Sequence, residues 1–119
     1  MNLKKWLKKH MKCLPNTIKA INFNIYESFD CYQLELIGCN KYDTLNEDWP
    51  NDYIYASNDD RFEFSASDDW LEALNVITTE VKKNLAEISP ISELVEKGIE
   101  YITIGFIDGD LEVIYQNLV

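Results

Sequence analysis

Residues 67–88 read SDDWLEALNVITTEVKKNLAEI, and this stretch does most to decide the architecture of the chain. Large apolar side chains recur along it every three or four residues, the pattern of a helix with one buried face. Ser67 is a good N-cap, and Asp68 and Asp69 fall in the first turn, where the helix dipole favours negative charge. The apolar stripe consists of Trp70, Leu74, Ile77, Val81, Leu85 and Ile88. We therefore predict a long helix that lies across a sheet and buries this stripe.

The segments before this helix predict a shorter helix and four strands. Residues 2–14 place apolar side chains on one arc and five lysines on the facing arc, so they predict an amphipathic helix that docks on the core and ends at Pro15. Residues 21–25 and 32–39 alternate with the two-residue period of strands and predict an antiparallel hairpin. Residues 53–56 and 61–64 predict two short strands, after a long polar loop at residues 40–50.

The segments after the long helix complete the predicted fold. Ser89-Pro90 and Gly98 bracket a short helix, with Ser as N-cap and Gly just beyond its end. Asp108-Gly109 lies between two β-rich runs, which is the strongest local signal for a hairpin. We predict a single α+β domain spanning residues 1–119. It has an antiparallel sheet of about five or six strands packed against the long helix, with an N-terminal helix and a C-terminal β-hairpin.

Charge is distributed very unevenly along the chain. The formal net charge is −10, and all 21 Asp and Glu residues lie from Glu27 onward, whereas residues 1–26 hold six lysines and no acid. Between residues 43 and 69, nine carboxylates face a single arginine, Arg61. Such a field repels nucleic acid and anionic lipid and attracts cationic partners. It can equally serve only to keep a domain in solution. No apolar run approaches the ~20 residues of a membrane span, so we expect neither nucleic acid nor membrane as a partner.

The residues that could carry chemistry form no recognised catalytic pattern. There is no phosphate-binding glycine loop and no G-x-S-x-G element, and the chain has only one histidine, His10. His10 and Cys13 lack two further zinc ligands at a known spacing, and Asp108-Gly109-Asp110 is too short for a calcium loop. We therefore expect no enzyme activity, no catalytic residue, no metal and no cofactor. Three cysteines without paired spacing and without a leader pattern favour the cytoplasm.

The sequence resembles the immunity proteins of bacterial polymorphic and contact-dependent toxin systems over roughly residues 20–118. Three elements carry the resemblance: Trp-Pro-Asn-Asp-Tyr at residues 49–53, Asp-Asp-Trp-Leu-Glu-Ala-Leu at residues 68–74 and Gly-Phe-Ile-Asp-Gly-Asp-Leu at residues 105–111. The resemblance implies a non-enzymatic inhibitor that binds one cognate toxin domain, often a nuclease, in the cytoplasm of the producing cell.

An acidic surface with aromatic anchors suits that role, because a nuclease cleft must attract phosphate. The charge partners expected on this hypothesis are Asp43, Glu47, Asp48, Asp52, Asp59 and Asp60. Trp49 and Tyr55 are the expected anchors. We expect Trp49 to be exposed because it lies in a polar loop, whereas Tyr55 could equally pack in the core. The alternatives are an adaptor or subunit outside toxin systems, which would use the Asp108 hairpin or the lysine-rich helix, and a small metal-dependent hydrolase.

Overall fold

A computed structural model describes residues 2–117 of the chain. In chain order the elements are α1 (Leu3–Cys13), β1 (Ala20–Glu27), β2 (Tyr32–Cys39), one turn of 3₁₀ helix (Trp49–Asp52), β3 (Tyr55–Ala56), β4 (Phe62–Phe64), α2 (Trp70–Ile88), α3 (Ile91–Glu96), β5 (Tyr101–Phe106) and β6 (Glu112–Gln116). This order confirms the predicted α+β class, the N-terminal helix and the C-terminal hairpin. None of the helices within residues 2–117 combines the length and the apolar character needed to cross a membrane.

The sheet is mixed, which corrects the prediction of a purely antiparallel one. Its strands lie in the order β3-β2-β1-β5-β6, and β4 also pairs with β2. The predicted β1–β2 hairpin is confirmed, since these strands pair antiparallel from Ala20 opposite Cys39 to Glu27 opposite Tyr32. However, β5 runs parallel to β1, with Tyr101 opposite Ala20. The physical reason is the crossover through α2 and α3. It returns the chain to the end of the sheet at which β1 starts, so β5 runs in the same direction as β1.

The two short strands β3 and β4 are parts of one interrupted edge. β3 pairs with Ile37 and Gly38, and β4 pairs with residues 32–34, both antiparallel to β2. Residues 57–61 leave the sheet between them, and we call this segment the edge excursion. Ser57 closes the gap, because its backbone N–H donates to the Leu36 carbonyl at 3.0 Å and its Oγ accepts from the Leu36 N–H at 2.8 Å.

The helices cover one face of the sheet and bury the main core. Ile21, Phe23 and Ile25 of β1 point into this face and are fully buried against the apolar stripes of α1 and α2. Alternate residues point to the opposite face, as the strand period requires. There Ala20 belongs to a second apolar cluster, completed by Ile37, Cys39, Trp49 and Tyr101. The loop after β2 therefore covers the face that carries no helix.

The ends of α2 differ in detail from the prediction. Asp69, and not Ser67, is the N-cap, since its carboxylate accepts from the N–H groups of Leu71 at 3.0 Å and Glu72 at 3.4 Å. The Ser67 hydroxyl instead accepts from the Asp69 N–H at 3.1 Å. Trp70 lies outside the buried stripe, because it occupies the first turn, and its side chain is 56% exposed. The buried positions of α2 are Ala73, Ile77, Thr78, Val81 and Leu85.

Candidate functional site

Four of the six predicted charge partners lie together on the loop between β2 and β3. We call residues 43–54 the acidic loop. The side chains of Asp43, Glu47, Asp48 and Asp52 are all exposed there. Within residues 2–117, no lysine or arginine nitrogen lies within 4.0 Å of any of these four carboxylates. Their charge is therefore available to a partner.

Local hydrogen bonds shape the acidic loop. The Asp43 carboxylate accepts from the Leu45 N–H at 2.9 Å, and the Asn46 side-chain oxygen accepts from the Asp48 N–H at 3.0 Å. Both are bonds from a side chain to the backbone two residues on, which is the turn chemistry of Asp and Asn. The polar composition that predicted a loop thus also holds its conformation.

Trp49 is buried, and the expectation that it would be exposed was wrong. Its side chain is only 8% exposed and contacts the rings of Tyr42 and Tyr101 at centroid distances of 6.4 Å and 5.8 Å. The Trp49 carbonyl accepts from the Cys39 thiol at 3.7 Å. Burial of so large a ring on the second apolar cluster outweighs the polar character of its neighbours. Trp49 therefore fixes the acidic loop to the sheet.

Three apolar side chains of the acidic loop are exposed, and the sequence reasoning did not select them as anchors. Leu45 is 95% exposed, and Tyr53 and Ile54 are each about half exposed. Tyr53 and Ile54 were assigned to a strand, but β3 begins only at Tyr55, so both remain in the loop. The isolated Leu45 within a polar stretch was the one available signal. These side chains give the loop exposed apolar surface beside its four carboxylates.

Two further connections hold the loop against the body of the domain. The Tyr42 hydroxyl donates to Glu100 at 2.8 Å, and burial together with this carboxylate raises the pKa of Tyr42 to about 12. The Glu47 carboxylate accepts from the backbone N–H of Leu111 at 3.2 Å. The acidic loop is thus tied to the residue just before β5 and to the turn that joins β5 to β6.

The other predicted site residues lie apart, on β3 and the edge excursion beside α1. The Tyr55 hydroxyl is 2.7 Å from Nδ1 of His10, and Oδ2 of Asp60 is 2.9 Å from Nε2 of the same ring. Lys9 also pairs with Oδ2 of Asp60 at 2.9 Å. Hydrogen bonds from Lys9 and His10 lower the pKa of Asp60. Asp60 and Tyr55 thus hold α1 in place, and only Asp59 of this group is exposed.

The arrangement around His10 has the residue types of a proton relay but not the access. The ring is buried, and both of its nitrogens already have partners. A general base must reach the proton that it abstracts from a substrate. The structure therefore gives His10 the geometry of a clamp between α1 and the edge excursion.

A buried polar network crosses the face of the sheet without helices, where alternation alone predicts solvent. Glu35 is almost fully buried and accepts from the Tyr26 hydroxyl at 2.8 Å and from Asn24 at 3.3 Å. Burial, with Glu35 next in effect, raises the pKa of Tyr26 to about 12. Arg61 lies 3.5 Å from Glu35 and stacks over the Tyr26 ring at 3.9 Å. Each of these side chains contacts another member of the network, which gives it a structural role, although within residues 2–117 the buried Nε of Arg61 has no hydrogen-bond partner.

The residue types that could bind a metal ion or react as thiols lie scattered over the fold. Within residues 2–117, no three His, Cys, Asp or Glu side chains converge in a way that could hold a metal ion. The three cysteines are free thiols, and burial raises the pKa of Cys39 to about 11. Comparisons of the chain with protein families, with characterised proteins and with solved structures found no match.

Proposed function

We propose that this domain binds a basic partner protein through the acidic loop, and that it acts as a non-enzymatic immunity protein that neutralises a cognate toxin domain. The observation that carries the proposal is the acidic loop itself. It presents four exposed carboxylates without an internal ion-pair partner, next to exposed Leu45, Tyr53 and Ile54. Exposed carboxylates speed the encounter with a cationic surface, and apolar contacts then slow dissociation.

The loop is also held in shape before any partner arrives. Trp49 anchors its centre, Tyr42 anchors its beginning on Glu100, and Glu47 ties it to Leu111. A surface that is already ordered loses less conformational entropy on binding. This supports a recognition role over a loop that is acidic only for solubility.

The lysines of the basic helix α1 do not neutralise the negative charge of the acidic loop. It packs on the face of the sheet opposite to the one that carries Trp49. Two of its lysines pair elsewhere, Lys4 with Glu87 and Lys9 with Asp60. The acidic loop can therefore approach a cationic cleft directly, as the resemblance to immunity proteins implies for a nuclease toxin in the cytoplasm.

Co-expression tests the proposal. On this proposal the gene next to this one encodes a large secreted protein, and the C-terminal domain of that protein is expressed in a sensitive bacterium with and without this chain. We expect the wild-type chain to restore growth and to co-purify with the toxin domain. The triple variant Asp43→Lys, Asp48→Lys, Asp52→Lys should restore growth less well.

The matched control reverses three exposed carboxylates elsewhere, with the changes Glu63→Lys, Glu80→Lys and Glu96→Lys. It alters the net charge by the same amount and should protect like the wild type. Failure of the wild type to bind or protect would contradict the immunity role. Equal loss in both triple variants would show that net charge, and not the acidic loop, matters.

A further inference from the structure

A second surface lies where β1 and β5 end, beside the first turns of α2. It is a groove of about 950 Å³ bounded by residues 25–27, the start of α2 and the turn at residues 106–110. We propose that this groove docks a cationic segment of a partner protein that carries large apolar side chains. The proposal concerns a different surface from the acidic loop and does not depend on the toxin role.

The apolar part of the groove is continuous from its floor to its rim. Ile25 is fully buried at the floor, and Phe106 is half-buried. The Trp70 ring stands edge-on to Phe106 at 6.1 Å and an interplanar angle of 83°. Trp70 and its neighbour Leu71, 52% exposed, leave much of their surface to solvent, and Ile107 on the opposite wall does the same. Contiguous exposed apolar surface of this kind is typical of a binding groove, whereas scattered apolar residues are not.

The charge of the groove selects the kind of segment that fits. Its lining includes the carboxylates of Glu27, Asp108 and Asp110 and contains no Lys, Arg or His. Within residues 2–117, none of the three makes an ion pair. Asp68 and Asp69 add negative charge just before Trp70. A segment with Lys or Arg beside Leu, Phe or Trp complements both features, and an anionic segment or anionic lipid would be repelled.

The turn that forms one wall is held in a fixed shape. Asp108 has a left-handed backbone conformation (φ 66°), and the Gly109 N–H donates to the Phe106 carbonyl at 2.8 Å. The backbone carbonyl of Asp110 packs so closely against Gly105 that a β-carbon at position 105 would collide with it. Asp108 and Asp110 are therefore presented from a defined position at the rim, which favours recognition of a cation.

An NMR titration with defined peptides tests the proposal. The probe is an amphipathic Lys–Leu peptide, and the comparison probes are a Glu–Leu peptide and a Lys–Ser peptide of equal length. We expect the Lys–Leu peptide to shift the Trp70 indole signal and the amides of Leu71, Ile107 and Gly109. The Glu–Leu peptide should shift none of these, and the Lys–Ser peptide should leave the Trp70 indole unchanged. Shifts centred on the acidic loop instead would overturn the proposal.

Substitutions in the groove sharpen the test. Leu71→Ser should raise the Kd of the Lys–Leu peptide by about fivefold, because it removes exposed apolar contact area. Val76→Ser is the matched control, since Val76 lies on the same helix at 48% exposure but outside the groove. Equal Kd values for wild type and Leu71→Ser would overturn the proposal.

Charge variants separate the groove from general attraction to an acidic molecule. The double variant Asp108→Asn, Asp110→Asn should bind the Lys–Leu peptide more weakly than the wild type does. The double variant Glu80→Gln, Glu96→Gln should bind it as tightly as the wild type does. Equally weakened peptide binding in both double variants would overturn the proposal. Concentration-dependent dimers that Leu71→Ser abolishes would also overturn it, because the groove would then hold a second copy of the chain. The lysine reversals at Asp43, Asp48 and Asp52 should leave the groove shifts in place, so this test and that of the acidic loop fail independently.

Discussion

The carboxylate of Glu47 accepts a hydrogen bond from the backbone N–H of Leu111 at 3.2 Å, which joins the acidic loop to the segment that follows β5. Glu47→Ala should lower the free energy of unfolding by about 0.5–1 kcal/mol, because it leaves this N–H without its partner. Glu47→Gln keeps an acceptor and should cost less. Asp48→Ala is the control, as no hydrogen bond or ion pair to the Asp48 carboxylate is seen within residues 2–117. Urea denaturation measures all three, and equal stabilities for the two alanine variants would contradict the role of Glu47.

We expect substitution of the buried Trp49 to lower the stability of the fold. Trp49→Ala should cost about 3 kcal/mol, because it removes a buried ring from the second apolar cluster and leaves a cavity. Tyr53→Ala, at an exposed position, should change the free energy of unfolding by no more than about 0.5 kcal/mol. Chemical denaturation distinguishes the two. A Trp49→Ala variant as stable as the wild type would show that the ring does not hold the loop.

Asp60 makes the stability depend on pH in a defined direction. Its pKa in the folded chain lies below the ordinary value of 3.8, because Lys9 and His10 donate hydrogen bonds to it. The ionised carboxylate therefore stabilises the fold above about pH 4, and this contribution is lost as the pH falls through the folded pKa. Asp60→Asn should lower stability at pH 7 by about 1 kcal/mol, since the group is partly exposed.

Denaturation at several pH values measures this effect. The difference between wild type and Asp60→Asn should shrink as the solution is acidified below pH 4. Asp59→Asn, at the exposed neighbouring position, should show neither the loss at pH 7 nor the trend. A difference that grows on acidification would contradict the assigned pairing.

Gly105 is required by a close approach and not by its backbone conformation. A β-carbon at this position would collide with the backbone carbonyl of Asp110, which has no room to move away as a flexible side chain would. Gly105→Ala should therefore destabilise by about 2–3 kcal/mol. Gly98→Ala should cost only about 1 kcal/mol, because Gly98 has a φ of 80° but open space around it. Thermal and urea unfolding compare them, and the reverse order of stability would contradict the described turn.

Local patterns in the sequence predicted the elements of the fold but not all of their neighbours. Two-residue alternation predicted β2 with the bounds that the structure gives, residues 32–39. The same pattern carries no information on which strand β5 pairs with, so its parallel pairing with β1 was missed. Alternation places Glu35 on the face opposite to Leu34 and Leu36 but carries no sign that Glu35 is buried, because Arg61, which lies against it, belongs to a later segment of the chain.

The candidate site was predictable only as far as charge is. Exposed carboxylates in a polar loop follow from composition, and Asp43, Glu47, Asp48 and Asp52 were predicted on that basis. The burial of Trp49 and the capture of Asp60 by Lys9 and His10 depend on contacts across the fold. The groove beside Trp70 was missed because the helical periodicity assigned Trp70 to the core.

The association rate with the toxin domain that we propose as the partner, measured by stopped flow at low salt, tests the central claim most directly. Reversing Asp43, Asp48 and Asp52 to lysine should slow association at least about tenfold, because on this proposal these exposed charges steer the encounter. Reversing Glu63, Glu80 and Glu96 should slow it much less at the same net charge. An association rate unchanged by the reversals in the acidic loop would contradict the claim that this loop meets the partner.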